Sequence, residues 1–248
     1  MTLLSEIRSN YDGFLRDWQD SLSKRLADLP TNGITRFEKS YIRLTSLQAW
    51  RTTVIEPNLS AGSVGFFVEA QNDALVSHIH ASLGSWRLSL KSLRSCIENV
   101  LLCLYYKDHP VEFSLWEQGK FRIPYEAFRY FQNHPCINGM PNDLKGLALI
   151  DQEYEKLSKA VHSSAVEFRM TEDGKALSLW KTDRVHENIW ETHEKKMLQG
   201  LNLLMLALFR EYLQGASIAT LRESLGFVIP ARKDANIKKI LNVRIKRY

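Results

Sequence analysis

A chain of 248 residues, 44% hydrophobic and 25% charged, has ordinary globular proportions and enough length for a sizeable core. Its start, MTLLSEIRSNYDGF, lacks the basic-then-apolar order of a secretory signal, and its greasiest run, Leu198–Phe209, is interrupted by Gln199 and Asn202. That run falls well short of the roughly 20 apolar residues that span a bilayer, so the sequence predicts no membrane crossing.

The N-terminal stretch 3–28 predicts a helix with Ile7, Tyr11, Phe14, Leu15, Trp18, Leu22 and Leu26 on one stripe, ended by Pro30 and Gly33. A second helix is expected from Thr35 to Ile55, before Pro57 and SAGSVG break the chain. Apolar residues then recur from Phe67 to Leu104. Within that run Trp86, Leu90, Leu93, Ile97, Val100 and Leu104 alternate spacings of four and three, the seam of close antiparallel helix packing. The pattern predicts one long helix bent near Gly84 and stopped at Pro110.

Short helices are expected over 111–118 and 124–133, and longer ones over 142–162 and 188–214. A small β-hairpin is expected over 168–179 around Glu172–Asp173–Gly174, and a short helix over 217–225. The fold class is therefore all-α: a compact bundle of long antiparallel helices with one small hairpin. The domain reading is a single bundle over 1–227 followed by a basic C-terminal tail over 228–248.

The net charge is +5 and the pI about 9.0. Much of the excess is terminal: Arg232, Lys233, Lys238, Lys239, Arg244, Lys246 and Arg247 face only Asp234. Such a run can screen phosphates, so these seven residues form the candidate nucleic-acid-binding set; it can equally be a solvated helix end or dock on an acidic partner. Cys96, Cys103 and Cys136 make neither a CxxC pair nor a Cys/His cluster, and reduced thiols in a cytoplasmic protein are the plain reading. No phosphate-cradling glycine loop, HExxH, GxSxG or paired acidic metal motif occurs, so neither a cofactor nor a metal is expected.

Several residues carry bland readings. His78 and His80 lie two apart on a helix and face different ways, which makes them poor joint ligands. Trp86, Trp116, Trp180 and Trp190 read as core or interface anchors. Glu187, Glu191 and Glu194 with Lys195 and Lys196 read as a solvated face with local charge pairs.

Two stretches carry chemistry. Arg94 and Glu98 are four apart on one helix face and can pair, and an arginine held in this way can grip a phosphate through its planar fork. His162 is the candidate partner for moving a proton at neutral pH, with Ser158 four residues back on its face. Arg94, Glu98 and His162 thus form the candidate catalytic set. The plainer alternative is a structural Arg–Glu clamp and a histidine at a helix end.

The segments Leu93-Arg94-Ser95-Cys96-Ile97-Glu98-Asn99-Val100-Leu101 and Tyr154-Glu155-Lys156-Leu157-Ser158-Lys159-Ala160-Val161-His162 resemble the R-x-x-x-E core helix and the Y-x-x-L-S-x-x-x-H ending of HEPN-like helical bundles. The resemblance covers about residues 65–215. It implies a component of a prokaryotic antiphage, abortive-infection or toxin system that cleaves RNA without metal or binds it. The alternative it carries is a non-catalytic adaptor subunit. It also implies RNA in preference to DNA, a protein partner from the same operon, and an oligomer. The family's catalytic arginine precedes its histidine by four to six residues. Here that spacing is met at Arg129 and His134, while the position six before His162 holds Lys156.

Overall fold

The computed structural model describes residues 2–32, 34–162, 171–172, 175–176, 183–213 and 218–247. Among these, eleven α-helices carry the fold. They are α1 (Leu3–Asn32), α2 (Ile34–Trp50), α3 (Glu56–Asn58), α4 (Ala61–Ser82), α5 (Trp86–Asp108) and α6 (Pro110–Glu117), then α7 (Asn142–Lys145), α8 (Leu147–His162), α9 (Arg184–Leu208), α10 (Ala219–Val228) and α11 (Asp234–Leu241). A π-helical turn, Arg51–Ile55, extends α2, and 3-10 turns fill Tyr125–Asn133 and Pro135–Ile137. The all-α bundle is as the periodicity predicts. The hairpin expected over 168–179 is present as β1 (Thr171–Glu172) paired antiparallel with β2 (Lys175–Ala176); the rest of that range lies outside the described residues.

The single helix expected across Phe67–Leu104 is instead a helical hairpin of α4 and α5, the most extensively packed pair among the described residues. Gly84 takes φ 76°, a left-handed conformation that a side chain disfavours. Gly84 N donates to Ala81 O at 3.0 Å and Ser85 N to His80 O at 2.7 Å, closing the end of α4 and reversing the chain. The 4/3 seam itself holds: Trp86, Leu90, Leu93, Ile97, Val100 and Leu104 are all buried.

The core sits around α5 and α9, which touch each other and are flanked by α4, α8, α2 and α10. From Leu201 to Ala207 every residue of α9 is buried, so the greasy run is a central helix enclosed on all sides. Asn202 is satisfied there: its Oδ1 accepts from Trp50 Nε1 at 2.8 Å, and its Nδ2 donates to Ser46 Oγ and Leu198 O. No helix among the described residues is long and apolar enough to cross a membrane.

The acidic run of α9 corrects the solvated-face reading. Glu187 and Glu194 are buried, with Arg25 and Arg36 on Glu187 at 3.1 Å each and Arg43 on Glu194 at 2.5 Å. Arg36 and Arg43 also reach Glu191. Residues 36, 40 and 43 of α2 and 187, 191 and 194 of α9 repeat the same four-then-three spacing, so opposite charges line one helix–helix seam.

This seam gives stability a pH dependence. Ser40 donates its own proton to Glu194, so its oxygen accepts from Nδ1–H of His78 at 3.0 Å. Burial and the nearby charge of Arg43 hold the His78 imidazole below its ordinary 6.5. Across α8 and α9, Glu153 pairs with His193. Although burial opposes it, that bond and the nearby Lys156 and Lys196 hold the carboxyl below its ordinary 4.5. Both folded-state values are depressed, so both contributions are complete above the unfolded values and are lost as pH falls. Tm measured across a pH series should fall in two stages, first below 6.5 from His78 and again below 4.5 from Glu153. His78→Gln should flatten the first stage. Glu194 of the same seam acts the other way, because burial holds its carboxyl above the ordinary 4.5, so the sign is read from the difference between the two proteins: a first stage that is unchanged in His78→Gln would contradict the role given to His78.

The region read as a basic tail is part of the fold, and that reading is corrected. Ile237, Leu241, Val243 and Ile245 are buried, which gives the segment an apolar face of its own. Lys233 is buried against Asp143, Lys246 pairs with Glu223, and Arg247 with Asp234 and Gly226 O. Gly226 permits this docking, because a Cβ there would overlap Lys246 O. Arg232, Lys238, Lys239 and Arg244 remain exposed.

Candidate functional site

The two stretches singled out from the sequence meet in space. Helix α5 presents Arg94 and Glu98 one turn apart, and α8 brings Tyr154 across to them. Arg94 Nη2 donates to Glu98 Oε1 at 3.0 Å and to Tyr154 OH at 2.8 Å, while the tyrosine hydroxyl donates to Glu98 Oε1 at 2.8 Å. The guanidinium also lies 5.0 Å from the Tyr154 ring centre, within cation–π range. Its Nε is buried and has no hydrogen-bond partner among the described residues.

The polypeptide after α6 completes the surroundings. Gly119 turns the chain with φ 69° and Pro124 leads into the 3-10 turn that carries Tyr125. Tyr125 stacks flat on Tyr154, with ring centres 3.6 Å apart, and its hydroxyl donates to Asp151 at 3.2 Å. A cleft of about 700 Å³ opens in front of the triangle, walled by Arg94, Glu98, Tyr106, Trp116, Arg122 and Tyr125. Beyond the stacked tyrosines a second cavity, about 580 Å³, is lined by Arg129, Gln132, Asp151 and Ser158. The cleft is thus edged by arginine and walled by aromatic rings: Trp116 lies 4.8 Å from Phe66, which stacks on Tyr106. Arg122 and Arg129 are exposed and make no ion pair among the described residues.

The electrostatics suit holding rather than proton transfer. Burial works to lower the Arg94 value, but the hydrogen bond it donates to Tyr154 and the charge of Glu98 keep the guanidinium above its ordinary range. Burial raises the phenols of Tyr125 and Tyr154, and lifts Tyr106 to about 12. None of these groups exchanges a proton near neutrality.

His162 does not join the triangle. It is exposed at the end of α8, eight residues beyond Tyr154 and so about 12 Å along the axis. The correctly spaced pair fares no better. His134 Nε2 bonds Asp108 at 3.2 Å and its Nδ1 accepts from Cys136 N, so both ring nitrogens are committed, while Arg129 faces the second cavity. Lys156 lies 3.5 Å from Glu153.

Sequence reasoning missed Tyr125, Arg122 and Trp116 as neighbours of Arg94. Arg122 and Tyr125 stand on irregular backbone that no period links to α5 or α8, and the period of α6 places Trp116 on a helix without saying what that helix packs against. It also missed Tyr154 as the third member of the triangle, although that residue opens the second motif.

Among the described residues, no three His, Cys, Asp or Glu side chains are grouped to hold a metal ion. Trp86 and Trp190 are buried anchors as expected, Trp116 is exposed at the cleft, and Trp180 lies outside the described residues. No family model matches this chain, and neither a curated protein nor a solved structure does.

Proposed function

We propose that this chain is a HEPN-like helical protein of a prokaryotic antiphage or abortive-infection system that grips single-stranded RNA in the α5–α8 cleft without cutting it. One observation carries the reading: Arg94, Arg122 and Arg129 border aromatic walls, and no imidazole lies among the lining residues. Arginine forks take phosphate oxygens, and rings accept unstacked bases with little regard to sequence. The meeting of the two HEPN-like stretches through Arg94, Glu98 and Tyr154 supports the family assignment.

The test is fluorescence anisotropy of a short labelled oligoribonucleotide, with the RNA checked for integrity afterwards. Arg94→Ala should weaken binding about ten- to hundredfold, the range expected for a charge-assisted hydrogen bond. Arg122→Ala and Arg129→Ala should each reduce the salt slope by about one. His162→Ala should bind as the parent does. Unchanged affinity in Arg94→Ala would remove the cleft from consideration. RNA cleavage that disappears in His162→Ala would replace gripping with catalysis.

A second reading, a non-catalytic subunit that assembles with another protein, draws on the exposed apolar face of α1.

A further inference from the structure

Helix α1 stands apart from the cleft and poses its own physical problem. Only its C-terminal part joins the bundle: Arg25 is buried against Ser82 O and Glu187, and Leu29 packs on the core. The preceding 20 residues, Leu3 to Leu22, make about 30 Å of helix. On it Leu3, Leu4, Ile7, Tyr11, Phe14 and Trp18 are all exposed, Tyr11 at 58% and Phe14 at 61%. A helix of this length is marginal in water unless its apolar face is covered.

We infer that this face is a dimerisation seam whose occupant is α1 of a second copy of the chain. Three observations select that partner. Residues 4, 7, 11, 14 and 18 alternate spacings of three and four, the a/d pattern that interlocks with another helix carrying the same pattern. The charges over Leu3–Leu22 are mixed, with Glu6, Asp12, Asp17 and Asp20 against Arg8 and Arg16. Such a helix is mildly acidic and lacks the basic face that an anionic membrane or a phosphate backbone selects. The area also suffices. The exposed apolar side chains from Leu3 to Trp18 offer on the order of 700 Å² per chain, near the ~800 Å² each partner gives to an interface of standard size. That exceeds the patch a monomer ordinarily leaves open. A two-fold axis across the seam makes the contact isologous and self-closing, so it stops at two chains.

The experiment is the solution mass of the full chain by sedimentation equilibrium at tens of micromolar. The parent should weigh twice 28.7 kDa. Tyr11→Glu/Phe14→Glu should halve that mass while the bundle still melts cooperatively and keeps its RNA affinity, because both rings are solvent-exposed in the single chain. Ile7→Leu/Phe14→Leu, which keeps the seam apolar, should remain dimeric. A parent that is monomeric at these concentrations would overturn the inference, as would a double glutamate variant that stays dimeric. A monomeric parent that co-sediments with phosphatidylglycerol vesicles would also overturn it, by assigning the face to lipid.

Discussion

Replacing Glu187 by alanine is expected to lower stability by about 3–5 kcal/mol, the usual cost of stranding buried charge, and Tm by roughly 10 °C at this chain length. Glu187 is 3% exposed and Arg25 2%, and Arg36 shares the same carboxylate. Removing the carboxylate takes from Arg25 the charge it meets at 3.1 Å, at a depth where water cannot replace it. Arg25→Leu/Glu187→Leu should recover most of the loss, because removing both charges ends the desolvation cost of each, and Arg36 is open enough to turn to solvent. Thermal melts of the single and double variants decide it. A loss below about 1 kcal/mol for Glu187→Ala would mean that the acidic run of α9 is solvated.

Gly146→Ala is the second large effect expected. Gly146 ends α7 with φ 75° and hands the chain to α8. A Cβ there costs about 1–2 kcal/mol for the left-handed backbone alone. It would also overlap Gly200 O and lie 2.9 Å from Leu204 N, both backbone atoms of the central helix. Neither can yield without moving α9, which adds about 1–3 kcal/mol of overpacking. Gly200 answers from the other side, its own Cβ position 3.0 Å from Ile150 Cγ1 and 3.2 Å from Gly146 O. Gly119→Ala is the control: φ is 69°, yet nothing lies within 4 Å, so only the backbone part should appear. Denaturant melts giving the two variants equal losses would contradict the close approach of α7–α8 to α9.

These two sites also show what could be read in advance. The 4/3 alternation from Trp86 to Leu104 told correctly which face of α5 is buried, because packing of apolar side chains obeys the helix period. The chain reversal at Gly84 and the break at Gly146 were not legible. An apolar stripe continues in phase across both, and only tertiary contact distinguishes a left-handed glycine from a tolerated helical one. The charged seam was readable in principle, since Arg36, Ser40 and Arg43 match the spacing of Glu187, Glu191 and Glu194. Taken one helix at a time, each looks like a solvated face. The terminal lysines and arginines misled in the same way: counting their charge overlooked Ile237, Val243 and Ile245 between them. At the site, Arg94 and Glu98 were visible because they share one helical turn. Tyr125 was not, since irregular backbone places it there, nor was Trp116, because the period of α6 does not tell which helix it meets.

The central claim is that RNA lies in the cleft between α5 and α8. It is tested most directly by ultraviolet cross-linking of a bound oligoribonucleotide, followed by identification of the labelled peptides. Trp116 is 42% exposed at the cleft and Tyr125 is partly open beside it, so peptides carrying these two residues should bear the nucleotide. Cross-links confined to the segment from Arg232 to Arg247, or none at all at saturating RNA, would contradict the account.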